Sequence, residues 1–266
     1  MNIKRILICF FAALPVCVAM RFFQITNTID FENGFFIPQK ETLGYLLLVG
    51  MLVACAAMAV VSFTGVKKFS PLPKTNWLLG LSSGFVAGRL FVELFGEVMS
   101  FAMPAWQVLV VKFVTVITAV YFTLVLLDGL FKIKIPPMFH VIPAIYAVTK
   151  TIFTFINISA LSVISDNVLL MASYCVLMLF FINYARIFNE IDTQKSIKKV
   201  VGYGFVAVIL CITSSLPIII INLTSSNKYL HSNISVGNTL FTIGCFIAVF
   251  LCEYFYNAYN KKEEHI

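Results

Sequence analysis

The chain has 266 residues, of which 60% are hydrophobic and 12% charged, and its net charge is +7. This composition is typical of membrane proteins and excludes an ordinary soluble domain. Lys and Arg lie mostly in short segments between long apolar runs. We therefore expect the positive charge to orient the chain in a lipid bilayer, and we expect no nucleic-acid partner.

Eight apolar runs, each near the ~20 residues that a helix needs to cross a hydrocarbon core, predict an all-α polytopic bundle of eight transmembrane helices. The bundle forms a single integral membrane domain over residues 1–266. In chain order the predicted spans are 5–22, 42–63, 77–101, 105–127, 138–160, 167–188, 200–222 and 234–257.

The first span has two interpretations. Residues 1–5 are basic, residues 6–14 are apolar, and Cys17-Val18-Ala19 offers a cleavage site, as in a secretory signal peptide. The flanking signal is imperfect, so the sequence favours a retained helix. Cleavage is the alternative and leaves seven spans.

The distribution of Lys and Arg predicts the orientation. With the N-terminus inside, the inner segments hold thirteen of these residues, and the outer segments hold only Arg21, Lys40 and Lys228. By the positive-inside rule, both termini are expected on the cytoplasmic side of a cell membrane. One helix more or fewer would reverse every later segment and destroy this pattern, so the bias also supports eight spans.

The first outer segment begins with RFFQITNTIDFENGFF, residues 21–36. Its Asn33-Gly34 dipeptide between aromatic residues predicts either an interfacial flap or re-entrant turn, or a plain connector. With its Arg and Gln at the end of the first span and its acidic turn closing in Gly-Phe-Phe, this stretch resembles uncharacterised multi-pass membrane proteins of Firmicutes. The resemblance covers about the first fifth of the chain. It implies a bacterial plasma membrane and no particular activity.

The third span carries charge inside an apolar run. Arg89, Glu93 and Glu97 are spaced by four residues and form one stripe along a helix. A charged stripe must avoid lipid, and a glycine stripe lets a neighbouring helix come close, so we expect protein on both sides of a central third helix. The glycines of the opposite stripe are Gly80, Gly84 and Gly88.

Buried charges need partners, and two other spans offer lysines. Residue counting places Lys112 level with the carboxylates, so Glu93 or Glu97 is expected to pair with it. Lys150 lies deeper, with Tyr146, Thr154 and Asn157 on its face. Three buried cations against two carboxylates leave one positive charge for a bound anion or Asp166. The candidate site residues are Arg89, Glu93, Glu97, Lys112, Lys150 and Asn157.

Metal, cofactor and enzyme signals are weak. The seven cysteines lie in apolar segments without a C-x-x-C pair, and the three histidines are scattered, so we expect neither metal nor cofactor. Residues 80–84 match G-x-S-x-G, but a nucleophile elbow needs a strand-to-helix turn and this match lies within a predicted helix. No catalytic residue is assigned.

Two functions remain. The first is binding or transport of a small polar or anionic solute, with Arg89, Lys112 and Lys150 contacting the anion and Glu93 and Glu97 carrying protons or cations. The alternative is a membrane assembly or sensory subunit, whose intramembrane charges form a structural network and whose partner is another membrane protein. An enzyme is the least supported.

Overall fold

The computed structural model describes residues 3–30, 35–65, 76–95, 104–158, 164–224 and 234–263. Eight α-helices lie in these ranges, and each is long and apolar enough to cross a membrane, which confirms the predicted all-α polytopic bundle. They are α1 (Ile3–Thr28), α2 (Glu41–Gly65), α3 (Trp77–Phe95), α4 (Ala105–Phe131), α5 (Ile142–Ile158), α6 (Ile164–Phe188), α7 (Thr193–Thr224) and α8 (Ile234–Glu263). Short 3-10 helices, Pro38–Lys40 and Pro137–Val141, precede α2 and α5.

Six helices form a closed ring. Each of α3, α4, α5, α6 and α7 packs against the next helix, and α8 packs against both α7 and α3. We call this arrangement the six-helix ring. Helices α1 and α2 pack against each other and against α7, on the outer side of the ring. The end of the bundle that holds Lys4 and Arg5 is called the basic end, and the end that holds Thr28 is called the opposite end.

The central helix is α7, and the expectation of a central third helix was wrong. In the most apolar 18-residue stretch of α7, 78% of the residues are buried, whereas 44% are buried in the corresponding stretch of α3. Helix α3 presents Leu81, Phe85 and Val92 on an exposed face. Its two other faces contact α4 and α8, so it lies on the perimeter of the bundle, with protein on two sides and an apolar face left for lipid.

The predicted glycine stripe brings α3 close to α4 at one end only. A Cβ atom at Gly80 would lie 3.0 Å from the Cα atom of Gly129 on α4, and one at Gly84 would lie 3.1 Å from the Leu126 side chain. Gly88 has no atom within 4 Å of that position and is exposed. The close contact is therefore an intramolecular one between α3 and α4.

Helix α1 is longer than predicted, and an antiparallel bridge follows it. The helix continues to Thr28, six residues beyond the predicted end of the span at residue 22. Ile29 and Phe36 then form an antiparallel bridge, and these side chains pack against Ile218 and Ile221 of α7. Residues 31–34, with the Asn33-Gly34 dipeptide, lie outside the described residues. Cleavage after Ala19 would remove the contacts made by the first part of α1, such as that of Phe10 with Phe205 on α7.

Candidate functional site

A buried ion pair lies inside the six-helix ring. The Nζ atom of Lys150 on α5 donates to Oε1 of Glu93 on α3 at 2.5 Å, and the side chains are only 1% and 2% exposed. The Thr239 hydroxyl on α8 donates to the other carboxylate oxygen at 2.7 Å. Because α5 is adjacent in the ring to neither α3 nor α8, these contacts cross the ring interior.

Two tyrosines complete this group of side chains. Tyr146 on α5 and Tyr174 on α6 are buried, and their phenol groups lie near enough to each other and to the Glu93 carboxylate for electrostatic interaction. The Lys150 ammonium lies 5.6 Å from the centre of the Tyr146 ring, within range of a cation–π contact. The residues Glu93, Lys150, Thr239, Tyr146 and Tyr174 are called the polar cluster.

The polar cluster has unused hydrogen-bonding capacity. Among the described residues, neither the Tyr146 hydroxyl nor the Tyr174 hydroxyl makes a hydrogen bond of normal geometry. The same holds for Thr154, which lies one helical turn after Lys150 on α5 and is fully buried. Buried hydroxyls in proteins are nearly always hydrogen-bonded to protein, water or ligand. These hydroxyls therefore provide donors and acceptors for a small polar molecule.

The structure separates the predicted site residues into two groups. Glu93 and Lys150 come together, with Tyr146 and Thr154 on the predicted face of α5, whereas Lys112 is exposed on α4. Lys112 was expected to pair with Glu93 or Glu97, and the first of these pairings was wrong. Arg89 is half-buried one turn before Glu93. Glu97 and the Asn157 side chain lie outside the described residues.

A second buried ion pair was not predicted. Arg21 of α1 is fully buried and pairs with Asp166 of α6, and it also donates to Gln24 at 2.5 Å and to the Ser165 hydroxyl at 3.4 Å. Gln24 in turn donates to the carbonyl oxygen of Gly44 on α2 at 2.7 Å. Asp166 therefore balances Arg21 and is not the counter-charge of Lys150. This group ties α1, α2 and α6 together near the opposite end.

A cleft opens at the basic end of the ring. It has a volume of about 590 Å³ and is lined by Val125, Asp128, Lys134, His140, Tyr184 and Phe188, together with residues 135–137. His140 accepts or donates a 2.7 Å hydrogen bond between its Nδ1 atom and the Tyr121 hydroxyl, and its ring stacks on Phe188 at 3.9 Å. This bond uses one nitrogen of the imidazole and leaves Nε2 as its other polar atom.

The structure gives the G-x-S-x-G match no hydrolase geometry. Its Ser82 lies within α3 and donates to the Leu79 carbonyl oxygen at 2.9 Å. His140 lines the cleft at the basic end and is hydrogen-bonded to Tyr121. Among the described residues no group of three or more His, Cys, Asp and Glu side chains has the arrangement of a metal site.

The polar cluster holds one carboxylate and one ammonium, and so it is electrically balanced as it stands. No protein-family model, curated protein or solved structure matches this chain. In its present state the cluster is closed, because both oxygens of Glu93 have donors. A ligand that displaces one partner must replace the charge or hydrogen bond that it removes, since an unpaired buried charge is costly.

Proposed function

We propose that this protein binds a small polar or anionic solute at the polar cluster and carries it across the membrane. The observation that supports the proposal is a buried ion pair inside a closed ring of helices, close to the buried hydroxyls of Tyr146, Tyr174 and Thr154, which make no hydrogen bond of normal geometry among the described residues. Ionisable groups within membrane helices cost about 3 kcal/mol each on insertion scales, and they usually mark ligand or ion pathways. The eight helices provide the bilayer-spanning frame.

Charge balance assigns roles to the two ionised residues. An anion that binds the Lys150 ammonium replaces the Glu93 carboxylate as its counter-charge. Glu93 then loses the Lys150 ammonium as its counter-charge, and in this proposal a proton bound by its carboxylate restores the charge balance. Lys150 is therefore the anion contact and Glu93 the proton carrier, and each bound negative charge comes with one proton.

The neighbouring hydroxyls orient the solute. Tyr146 and Tyr174 come from adjacent helices and lie near the Glu93 carboxylate, and Thr154 follows Lys150 by one turn. Each hydroxyl can donate one hydrogen bond and accept others. Arg89, half-buried one turn from Glu93, is a second anion contact in this proposal, and Glu97 and Asn157 are further candidates.

In the same proposal, the basic end lies on the cytoplasmic side of a bacterial plasma membrane. The segments on that side hold thirteen Lys and Arg residues. Arg21, which was counted as an outer-segment charge, lies in α1 within a buried ion pair, and this leaves only Lys40 and Lys228 outside. The positive-inside rule then predicts cytoplasmic termini, and the resemblance of residues 21–36 to multi-pass proteins of Firmicutes suggests the type of membrane.

The alternative function is a membrane assembly or sensory subunit. The closed geometry of the Glu93–Lys150 pair favours it, because a pair that satisfies itself needs no ligand. In that case the polar cluster is dry and only fixes helix packing, and the partner is another membrane protein that contacts the exposed side of the bundle.

The test is a solute screen with matched variants. Purified protein is heated with a panel of carboxylates, phosphates, amino acids and polyols, at acidic and neutral pH, and the unfolding temperature is recorded. We expect at least one solute to stabilise the wild-type protein and the Lys112→Gln variant but not Lys150→Gln. Glu93→Gln, which mimics the protonated carboxyl, should still be stabilised by an anionic solute but without a dependence on pH. Lys112→Gln is the matched control, because it removes a lysine that also lies within a membrane-spanning helix but is exposed and outside the polar cluster.

A solute that stabilises the wild-type protein is then tested for uptake into proteoliposomes, with and without an imposed proton gradient. Acid-driven uptake that Glu93→Gln abolishes would establish proton coupling. If no solute shifts the wild-type protein, and a membrane protein co-purifies with the chain in an equimolar ratio, transport is rejected in favour of the assembly subunit.

A further inference from the structure

Three aromatic rings meet inside the six-helix ring. Phe122 of α4 lies with its ring centre 5.3 Å from that of Phe246 on α8 and 6.4 Å from that of Phe181 on α6, and all three side chains are at most 1% exposed. Helices α4, α6 and α8 are alternate members of the ring, so these contacts cross its interior. The three side chains are called the aromatic layer.

The polar cluster lies on one side of this layer, toward the opposite end. On α6, Tyr174 precedes Phe181 by seven residues, and on α8, Thr239 precedes Phe246 by seven residues. Both helices begin at the opposite end, and seven residues of α-helix rise about 10 Å. Two independent helices thus place the cluster about two turns from the aromatic layer.

The basic-end cleft lies on the other side. Its lining residue Val125 follows Phe122 by three residues on α4, and Tyr184 follows Phe181 by three residues on α6. Three residues correspond to about 4.5 Å along a helix. The aromatic layer therefore separates a cleft with Asp128, Lys134 and His140 on its walls from a buried polar cluster with unused hydroxyls.

We propose that the basic-end cleft is the inner vestibule of the solute pathway and that the aromatic layer is its gate. The inference rests on the proposed function. The Phe122 side chain makes edge-to-face contacts with Phe181 and Phe246. Because phenylalanine has no polar side-chain atom, no side-chain hydrogen bond holds these three residues in place. An apolar constriction between two polar chambers excludes water and ions until its side chains move. Rotation of Phe122 away from its two partners joins the polar cluster to the cleft.

The barrier is tested by cysteine labelling. A full-length variant without the seven native cysteines receives one reporter, Asp128→Cys in the cleft or Tyr174→Cys in the polar cluster. A small membrane-impermeant methanethiosulfonate reagent is added from the basic end in oriented vesicles. We expect the cleft reporter to react at least about tenfold faster than the cluster reporter, because the aromatic layer excludes the hydrated reagent.

The gate is tested by adding Phe122→Ala to the cluster reporter. We expect labelling of Tyr174→Cys to accelerate by about tenfold or more, because the alanine removes both ring contacts across the interior. Phe205→Ala is the matched control. Phe205 is a buried aromatic residue on α7 that packs on Phe10 of α1 and Phe255 of α8, neither of which belongs to the aromatic layer, and its removal should leave the rate unchanged. Phe181→Ala replaces Phe122→Ala if the latter does not fold.

Two results overturn the gate. The first is equal labelling of both reporters with the aromatic layer intact, and the second is an unchanged Tyr174→Cys rate in both Phe122→Ala and Phe181→Ala proteins that remain folded. Labelling needs no solute, so it can fail while the solute screen succeeds. A barrier seen by labelling, together with an empty solute screen and an equimolar membrane-protein partner, rejects the transport function instead.

Discussion

Lys150 and Glu93 join α5 to α3 across the ring interior through a 2.5 Å contact between Nζ and Oε1. Both side chains are almost fully buried, so each is the counter-charge that makes the other tolerable inside the membrane. Thr239 adds a hydrogen bond from α8. A single pair therefore couples three helices that are not all packing neighbours.

Removing one member of this pair should cost more than removing both. We expect Glu93→Gln and Lys150→Met each to lower the free energy of unfolding by about 3–5 kcal/mol, because each leaves an uncompensated buried charge or polar group. The double variant should recover most of this loss. SDS-induced unfolding in mixed micelles of the wild-type protein, the two single variants and the double variant completes the thermodynamic cycle. Purely additive losses would show that the two side chains do not interact.

The eight spans were predictable because their length and apolar character are properties of each segment alone. The partner of Glu93 was not, because residue counting gives depth and not the rotation of a helix about its axis. The face of α4 around Lys112 carries the exposed apolar residues Leu109 and Val116, whereas the face of α5 around Lys150 carries Tyr146 and Thr154. The polarity of the neighbouring residues three and four positions away identifies the buried lysine, and this signal outweighs depth.

Arg21 shows a related error. It was assigned to an outer segment because it follows an apolar run, yet α1 continues past it. Arg21, Gln24 and Thr28 are spaced by three and four residues, which places them on one helix face, and all three are fully buried. The spacing was visible in the sequence. The partners on α6 and α2 were not, because they depend on which helices become neighbours.

Replacement of Arg21 should destabilise the bundle. Arg21→Met leaves Asp166 without its cation and Gln24 without its charged neighbour, and we expect a loss of about 3–5 kcal/mol in the free energy of unfolding. Arg21→Lys keeps the charge but not the planar guanidinium group, so its free energy of unfolding should lie between those of the wild-type protein and Arg21→Met.

A matched control is the exposed pair of Arg186 and Asp192, whose atoms are 3.4 Å apart and whose side chains are 37% and 56% exposed. Arg186→Met should change the free energy of unfolding by no more than about 1 kcal/mol, because solvent screens exposed pairs. Equal losses at Arg21 and Arg186, measured by the same SDS titration, would contradict the buried ion pair.

The contact between α3 and α4 should tolerate no side chain at its closest point. A Cβ atom at Gly129 would lie 2.7 Å from the Cα atom of Gly80, where backbone cannot move aside cheaply. We expect Gly129→Ala to lower the free energy of unfolding by about 1–3 kcal/mol through overpacking. Gly88→Ala, on the open face of α3, should be neutral or stabilising by up to about 1 kcal/mol, because alanine is the better helix former. The reverse order of stability would place the helix contact elsewhere.

Two buried tyrosines should differ in how loss of the hydroxyl changes the free energy of unfolding. The Tyr121 hydroxyl bonds His140 at 2.7 Å, so Tyr121→Phe should lower the free energy of unfolding by about 1–2 kcal/mol. The Tyr174 hydroxyl has no hydrogen bond of normal geometry among the described residues, so Tyr174→Phe should leave the solute-free protein as stable as the wild type or more stable.

The solute dependence of Tyr174→Phe separates the two functions. In a transporter the hydroxyl is kept for the solute, and so the variant should lose part of the stabilisation that a solute gives the wild-type protein, while Tyr121→Phe keeps it. In an assembly subunit no solute stabilises either protein. Destabilisation of solute-free Tyr174→Phe by as much as Tyr121→Phe would mean that the Tyr174 hydroxyl is already satisfied inside the bundle, and the polar cluster would then lose the free hydrogen-bonding group on which solute recognition depends.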